Sequence, residues 1–285
     1  MTDTPDTPLS PRIGRRQLLI GGGATISLGA LLAACGGDEG GAPGRVGYAP
    51  PVTALPNEDV TDAVLLRTAQ SMEHTILDVY ARIAESGALE GRAADLLDRL
   101  VQDHDTTAAD VGRLVGRAGG EPYPCANAWY LDRIIPGIYE AIEGDEAAGI
   151  APSDDPARDW LTVMDAMESM ISSTYQGFVE RLSDQQLRAE VIALAALSAR
   201  HAAAIAITAT GAPEAYASPV VRGEEEVTPD ESGLTPLYAI PNQFGMLSPY
   251  TLVVGAPSEA GTRFTLPVET PADNSYAYTS QSCSA

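Results

Sequence analysis

Hydrophobic residues recur at three- and four-residue steps in four long stretches of the chain, with polar residues between them. This period is that of a helix with one face buried in a core. The first stretch is predicted to begin near Asn57 or Asp59, both good N-cap residues, and to stop at Gly87. The second is predicted to run from about Glu90 to Ala118. The short joint between these two helices predicts antiparallel neighbours.

The third and fourth stretches form a second pair of predicted helices. The third starts at Pro156, since proline is favoured in the first turn of a helix, and continues to about Leu182. Ser183 together with Gln186 has the spacing of a capping box, which predicts the start of the fourth helix. The fourth helix then continues to about Thr210. The pattern therefore predicts an all-α protein built from two helical hairpins.

A long connection, residues 121–155, joins the two hairpins. It holds one short amphipathic stretch, from about Trp129 to Ile142, that is predicted to be helical.

A tail follows the fourth helix, and its composition differs from that of the helices. Proline, glycine, serine and threonine recur there, and the runs 252–254 and 263–268 are predicted to be extended. These runs are too few and too short to bury a core of their own. We therefore divide the folded part of the chain into four helices, residues 57–211, and an irregular, partly extended tail, residues 212–285, that wraps around them.

The first 35 residues are typical of an export signal and not of a folded domain. Arg15-Arg16 stand before a weakly apolar run, residues 18–34, in an arrangement that resembles a twin-arginine signal. The run is too short and too rich in small residues for a permanent membrane span. It ends in Leu32-Ala33-Ala34-Cys35, which resembles the lipobox of bacterial lipoproteins, where the cysteine is acylated. A generic signal peptide with a chance cysteine is the alternative.

This order of motifs predicts a protein that is exported and held by a lipid on Cys35 at the outer face of the cytoplasmic membrane. Residues 36–56, rich in glycine, alanine and proline, are predicted to form a flexible tether. Disulfides persist outside the cytoplasm. With Cys35 lipidated, Cys125 and Cys283 are the remaining pair and are predicted to form a disulfide, with two free thiols as the alternative.

The net charge of the chain limits which binding partners are expected. The formal net charge is −22, and the sequence contains no lysine. Nucleic acid is therefore not an expected partner, because phosphate binding needs a basic face. A solvated acidic surface is the simplest interpretation of the charge, and weak attraction of cations is the alternative. The sequence also has no Gly-rich phosphate loop after a strand and no Gly-x-Ser-x-Gly elbow.

A glutamate lies on the apolar face of the first helix and another on that of the third, in matching sequence contexts. Met72-Glu73 is followed seven residues after the Glu by Tyr80, and Met167-Glu168 is followed in the same way by Tyr175. A carboxylate on an apolar face needs a partner, because an unpaired buried charge costs several kcal/mol. We predict that both glutamates point inward. The tyrosines are predicted to be core residues with bonded hydroxyls, and a redox role is the alternative.

Each hairpin also carries one histidine at a matching place. His104 comes 31 residues after Glu73, and His201 comes 33 residues after Glu168, both with apolar neighbours at helical offsets. The chain has only three histidines, and the third, His74, stands one position off the apolar face and is predicted to be partly exposed. The repeat predicts that two glutamates and two histidines converge inside the helices.

This arrangement resembles the ferritin-like superfamily, and more narrowly the ferritin-like domain proteins exported by actinobacteria. The stretches that carry the narrower resemblance are Glu121-Pro122-Tyr123-Pro124-Cys125, Ala199-Arg200-His201-Ala202-Ala203 and Tyr238-Ala239-Ile240-Pro241. The resemblance covers roughly residues 58–285. It implies a four-helix bundle of two antiparallel hairpins, with a long crossover between the second and third helices.

The dinuclear members of that superfamily use Glu-x-x-His on the second and fourth helices. Val101 and Ser198 stand here at the positions of that glutamate. Asp103 and Asp105 flank His104, but a helix turns them about 100° to either side of it. The two bridging carboxylates are therefore missing, which argues against ferroxidase or other redox activity and leaves open whether the protein is an enzyme.

Two glutamates and two histidines suit one divalent ion, such as Fe, Mn or Zn. The set Glu73, His104, Glu168 and His201 is therefore predicted to hold a single metal ion. Two buried Glu–His pairs that satisfy each other by hydrogen bonds are the alternative. The corresponding functions are a metal-binding envelope lipoprotein and a metal-free structural or interaction lipoprotein that uses the helices as a scaffold.

Overall fold

The computed structural model describes residues 59–211, 250–259, 261–268 and 275–283, and this part of the chain is mainly α-helical. The predicted signal, Cys35 and the tether lie outside the described residues, as do residues 212–249. The elements of the described part are α1 (Asp62–Ser86), α2 (Arg92–Arg117), α3 (Ala128–Arg133), α4 (Ile135–Glu143), α5 (Pro156–Arg181), α6 (Gln185–Thr210), β1 (Tyr250–Val254) and β2 (Phe264–Val268).

The helix starts differ from two of the sequence predictions. The N-cap of α1 is Thr61, whose side chain accepts a hydrogen bond from the Val64 N–H at 3.3 Å, so Asp59 lies before the helix. The N-cap of α6 is Asp184, which accepts from the Leu187 N–H at 2.8 Å. The capping box predicted at Ser183 is therefore wrong. A carboxylate caps a helix as well as a hydroxyl does, and the Ser183 hydroxyl donates instead to Asp62.

The amphipathic stretch in the connection forms two short helices and not one. The interruption falls at Ile134, between α3 and α4. Pro136 stands at the start of α4. A proline has no N–H for the preceding turn and fits best in the first turn of a helix, so the second segment starts afresh there.

The four long helices pack in pairs, α1 with α2 and α5 with α6, and α1 also packs on α5 and α2 on α6. The Ser183 hydroxyl in the α5–α6 turn donates to the carboxylate of Asp62 at the start of α1, at 2.7 Å. The start of α1 therefore meets the end of α5, and these two helices run antiparallel. Their shared core is apolar, with Leu66, Ile76 and Ile171 fully buried among others.

One helix of the described part, α6, is long and apolar enough to cross a membrane by the measures of length and composition. A core helix meets the same measures. Here α6 lies against α5 and α2, with Leu187, Val191 and Ile205 among its buried residues.

The two strands form an antiparallel hairpin in which Leu252 pairs with Leu266. Strand β1 contacts α4 and α5. The extended character predicted for the runs 252–254 and 263–268 is confirmed.

Asp159 in the first turn of α5 fastens this hairpin to the helices. Its carboxylate is fully buried and accepts from the Gly255 N–H at 2.6 Å, the Ser153 hydroxyl at 2.6 Å and Arg263 Nη1 at 3.2 Å. Gly255 has φ 86°, and a Cβ there would meet the Ala141 carbonyl oxygen at 2.7 Å. Only glycine lets the backbone approach the helices this closely. We refer to Asp159 and its partners as the Asp159 latch.

The final described segment, residues 275–283, returns to α1. The guanidinium of Arg67 is buried and donates to the carbonyl oxygens of Ala277 at 3.2 Å and Tyr278 at 3.0 Å, and also to those of Glu121 and Gln281. Cys125 and Cys283 lie together as a disulfide pair, with Cα atoms 5.9 Å apart. Both contacts hold the end of the chain against α1 and the connection that follows α2.

Candidate metal site

Four buried side chains from four different helices meet in the interior. Glu73 comes from α1, His104 from α2, Glu168 from α5 and His201 from α6, and we call these four residues the Glu–His cluster. The most exposed of the four is His201, at 7%, and both glutamates are at 0%. The repeat in the sequence predicted this convergence, and the structure brings the four residues together.

His104 lies between the two glutamates. Its Nδ1 is 2.6 Å from Oε2 of Glu73, and its Nε2 is 2.7 Å from Oε1 of Glu168. His104 therefore joins α1 to α5 from its place on α2.

Each of the two tyrosines bonds the glutamate of the other helix. Tyr80 of α1 donates its hydroxyl to Glu168 at 2.8 Å, and Tyr175 of α5 donates to Glu73. Because α1 and α5 run antiparallel, a tyrosine two turns after the glutamate on one helix lies level with the glutamate on the other. Both hydroxyls are bonded, as predicted for core tyrosines.

The charges of the cluster stabilise one another. Burial by itself would lower the pKa of His104, but Glu168 and Glu73 outweigh burial and raise it well above its usual value. Burial by itself would raise the pKa of Glu168, but His104 and His201 outweigh burial and lower it to about 2. Burial and then Glu168 raise the pKa of Tyr80, and burial and then Glu73 raise that of Tyr175, so both hydroxyls keep their protons.

His201 is bonded less completely than His104. Its Nδ1 is 3.3 Å from Oε2 of Glu168, and its ring centroid is 5.5 Å from that of His104. Its Nε2 is 3.4 Å from Oδ2 of Asp103 but has no partner with hydrogen-bond geometry among the described residues. A buried imidazole with one unsatisfied nitrogen is unusual, because such a group costs about 1–3 kcal/mol.

Three members of the cluster fit a divalent ion. His104, Glu168 and His201 each offer one ligand atom, and these atoms lie within 4.8 Å of one another. Imidazole and carboxylate together suit Zn, Fe or Mn. Glu73 lies outside this group of three because it bonds Nδ1 of His104, on the far side of the ring. It therefore has the position of a carboxylate that would orient His104 if that histidine bound an ion.

No family model matches this sequence, and no curated protein matches it significantly. The function of the cluster is therefore argued from its own residues. The positions that carry glutamate in a Glu-x-x-His motif offer no carboxylate here, since Val101 is half-buried and apolar and Ser198 is a buried hydroxyl. His74 is half-buried, as its position beside the apolar face predicted.

Sequence reasoning missed the roles of two acidic residues. Asp103, which a helix turns away from His104, comes close to His201 because that turn aims it toward α6. Asp165 is buried one turn before Glu168, and its Oδ1 has no hydrogen-bond partner in the described part of the chain. Burial and then Glu168 raise the pKa of Asp165 to about 8. The sequence feature that could have identified Asp165 was its position three residues before Glu168, on the same side of the helix.

Proposed function

We propose that this protein is an exported, lipid-anchored envelope protein whose four long helices form a ferritin-like bundle around a single divalent metal ion. His104, Glu168 and His201 would hold the ion, and Glu73 would orient His104. The bound ion would supply a Lewis acid, and iron or manganese would also supply one-electron exchange. A dinuclear ferroxidase centre is not part of the proposal, because Val101 and Ser198 stand where its bridging carboxylates would be.

The observation that carries the metal proposal is the approach of three ligand atoms from α2, α5 and α6 to within 4.8 Å of one another. Core residues that merely fill space have no reason to be two histidines and a glutamate.

The pairing of the helices supports the bundle. Two hairpins pack side by side, the glutamates lie on the first helix of each and the histidines on the second. A long connection, residues 118–155, separates the hairpins.

A metal-free scaffold is the second candidate, and one observation favours it. Both ring nitrogens of His104 lie within 2.7 Å of a carboxylate oxygen, which is the arrangement of an imidazolium between two carboxylates. In that state the two glutamates and His104 balance much of each other's charge without an ion.

Metal analysis of protein purified without added metal distinguishes the two candidates. We expect one divalent ion per chain, and a melting temperature that rises with added Zn²⁺, Mn²⁺ or Fe²⁺, because an ion that binds only the folded state stabilises it by about 2.7 kcal/mol at 100 times its Kd. His201→Ala should lose the ion. His74→Ala is the matched control and should keep it, since His74 lies outside the ligand group.

A parent protein with no ion and an unmoved melting temperature would overturn the metal proposal in favour of the scaffold. Glu168→Ala would then still destabilise the fold by about 1–3 kcal/mol, because His104 and Tyr80 would each lose a buried partner.

A further inference from the structure

Each histidine of the Glu–His cluster lies between two carboxylates. One ring nitrogen of His104 faces Glu168, and the other faces Glu73. One ring nitrogen of His201 also faces Glu168, and the other faces Asp103. Carboxylates and imidazoles therefore alternate from Glu73 to Asp103, with Glu168 in the middle.

Asp103 differs from Glu73 in its surroundings. Its side chain is 22% exposed, and Arg99 holds it from the solvent side, with Nε 3.0 Å from Oδ2 and Nη2 2.9 Å from Oδ1. The Arg99 side chain is itself 68% exposed. This ion pair holds the carboxylate beside Nε2 of His201, whose side chain is only 8% exposed.

We infer that Asp103 is a positioning residue of the metal site, which accepts the Nε2–H of His201 and so leaves Nδ1 as the nitrogen that faces the ion. This inference rests on the proposed function. An imidazole that binds a metal through one nitrogen carries its proton on the other, and a carboxylate on that proton fixes the tautomer and the ring orientation. Glu73 has the same relation to His104.

The distance supports this role. At 3.4 Å, the distance between Nε2 of His201 and Oδ2 of Asp103 is longer than that of an ordinary N–H···O bond, but Asp103 is the carboxylate that faces this nitrogen. No other described residue satisfies that nitrogen. If Asp103 only paired with Arg99 on the surface, Nε2 would stay unsatisfied in both the metal-free and the loaded protein.

The test uses the full chain with Asp103→Ala, Asp103→Asn and Asp105→Ala. Asp105 is the matched control, because it flanks His104 on the other side and is exposed. The first readout is the Kd for Zn²⁺, measured by competition with a chromophoric chelator. Asp103→Ala should weaken binding about 10–100-fold. Asp103→Asn should restore part of it, because the amide oxygen still accepts the N–H, and Asp105→Ala should bind as the parent does.

The second readout is the protonation of the His201 ring nitrogens, observed by ¹⁵N-resolved NMR. We expect a protonated, slowly exchanging Nε2 in the metal-free and the zinc-loaded parent, and rapid exchange of that proton in Asp103→Ala. Unchanged zinc affinity in Asp103→Ala, or an unprotonated Nε2 in the parent, would overturn the inference.

The two readouts also separate this inference from the proposed function. A parent that binds no Zn²⁺ contradicts the proposed function. The Nε2 proton of the metal-free protein would then still decide whether Asp103 positions His201.

Discussion

A single buried carboxyl group, that of Asp165, ties stability to pH. Its pKa of about 8 lies far above the usual 3.8, so between these values the folded protein keeps a proton that the unfolded chain has released. Stability then falls as pH rises across this window, by about 1.4 kcal/mol per pH unit from this group alone. The physical cause is burial first, and then the neighbouring charge of Glu168.

Asp165→Asn should therefore stabilise the metal-free protein at pH 8 relative to the parent, by about 2–4 kcal/mol, and have little effect near pH 4. Urea unfolding at a series of pH values measures the difference. Asp98→Asn, an exposed position on α2, is the control and should leave the pH profile unchanged. A variant that is less stable than the parent at every pH would show that the carboxyl group has a structural partner.

The four members of the Glu–His cluster were predictable from the sequence, and Asp103 was not. A carboxylate such as Glu168 in the middle of an apolar face stands out because its burial requires a partner. Asp103 lies outside the apolar face of its helix. Aspartates are common at such solvated positions, so this one does not stand out. Its role depends on how α2 and α6 are rotated toward each other, which the helical period of either one alone does not determine.

At the scale of elements, the Asp159 latch decides where the β hairpin lies. Four groups converge on the fully buried carboxylate of Asp159: Ser153 from the connection, Arg158 from α5, and Gly255 and Arg263 from the hairpin. Removing one partner of a buried ion pair leaves the others uncompensated, which costs more than the pair itself contributes. The hairpin buries few apolar residues of its own, with Leu252 and Val254 as the main ones, so it depends on this anchor.

We expect Asp159→Ala to lower the free energy of unfolding by about 3 kcal/mol and to expose residues 250–268 to protease. Asp154→Ala is the matched control. Arg158 and Arg263 bond both Asp159 and Asp154, but the Asp154 side chain is 51% exposed, so its loss should cost no more than about 1 kcal/mol. Equal effects of the two variants, by urea unfolding and limited proteolysis, would contradict the role of the latch.

The secondary-structure elements and the contacts between them were not equally predictable from the sequence. The four long helices follow from the period of the apolar residues, and the strands from two short extended runs. The start of α1 was placed too early because Asn57, Asp59 and Thr61 are all good caps, and only packing selects among them. The Asp159 latch was missed, since Gly255 and Arg263 lie 96 and 104 residues further along the chain and carry no pattern that links them to Asp159.

At the scale of the whole molecule, the order of motifs in residues 1–35 leads us to expect a lipid anchor at Cys35. Cys35→Ser should leave an unacylated chain that is not processed as the parent is. Membrane fractionation together with labelling by a fatty-acid analogue measures this. Cys125→Ser is the control and should still be acylated. A Cys35→Ser protein that is processed and membrane-bound like the parent would remove the anchor from the proposal.

The buried guanidinium of Arg67 has a consequence for the timing of folding during synthesis. Three of its four carbonyl partners lie 210, 211 and 214 residues further along the chain. Helix α1 thus leaves the ribosome early, and only one of the four acceptors of Arg67, the Glu121 carbonyl, is made before residues 277–281. A nascent chain cannot complete its core one hairpin at a time, because contacts between distant residues must wait for the later ones. We therefore expect the native state to be reached only after translation has passed the last of these residues, so that a chain cut short before residue 277 would leave Arg67 without three of its partners.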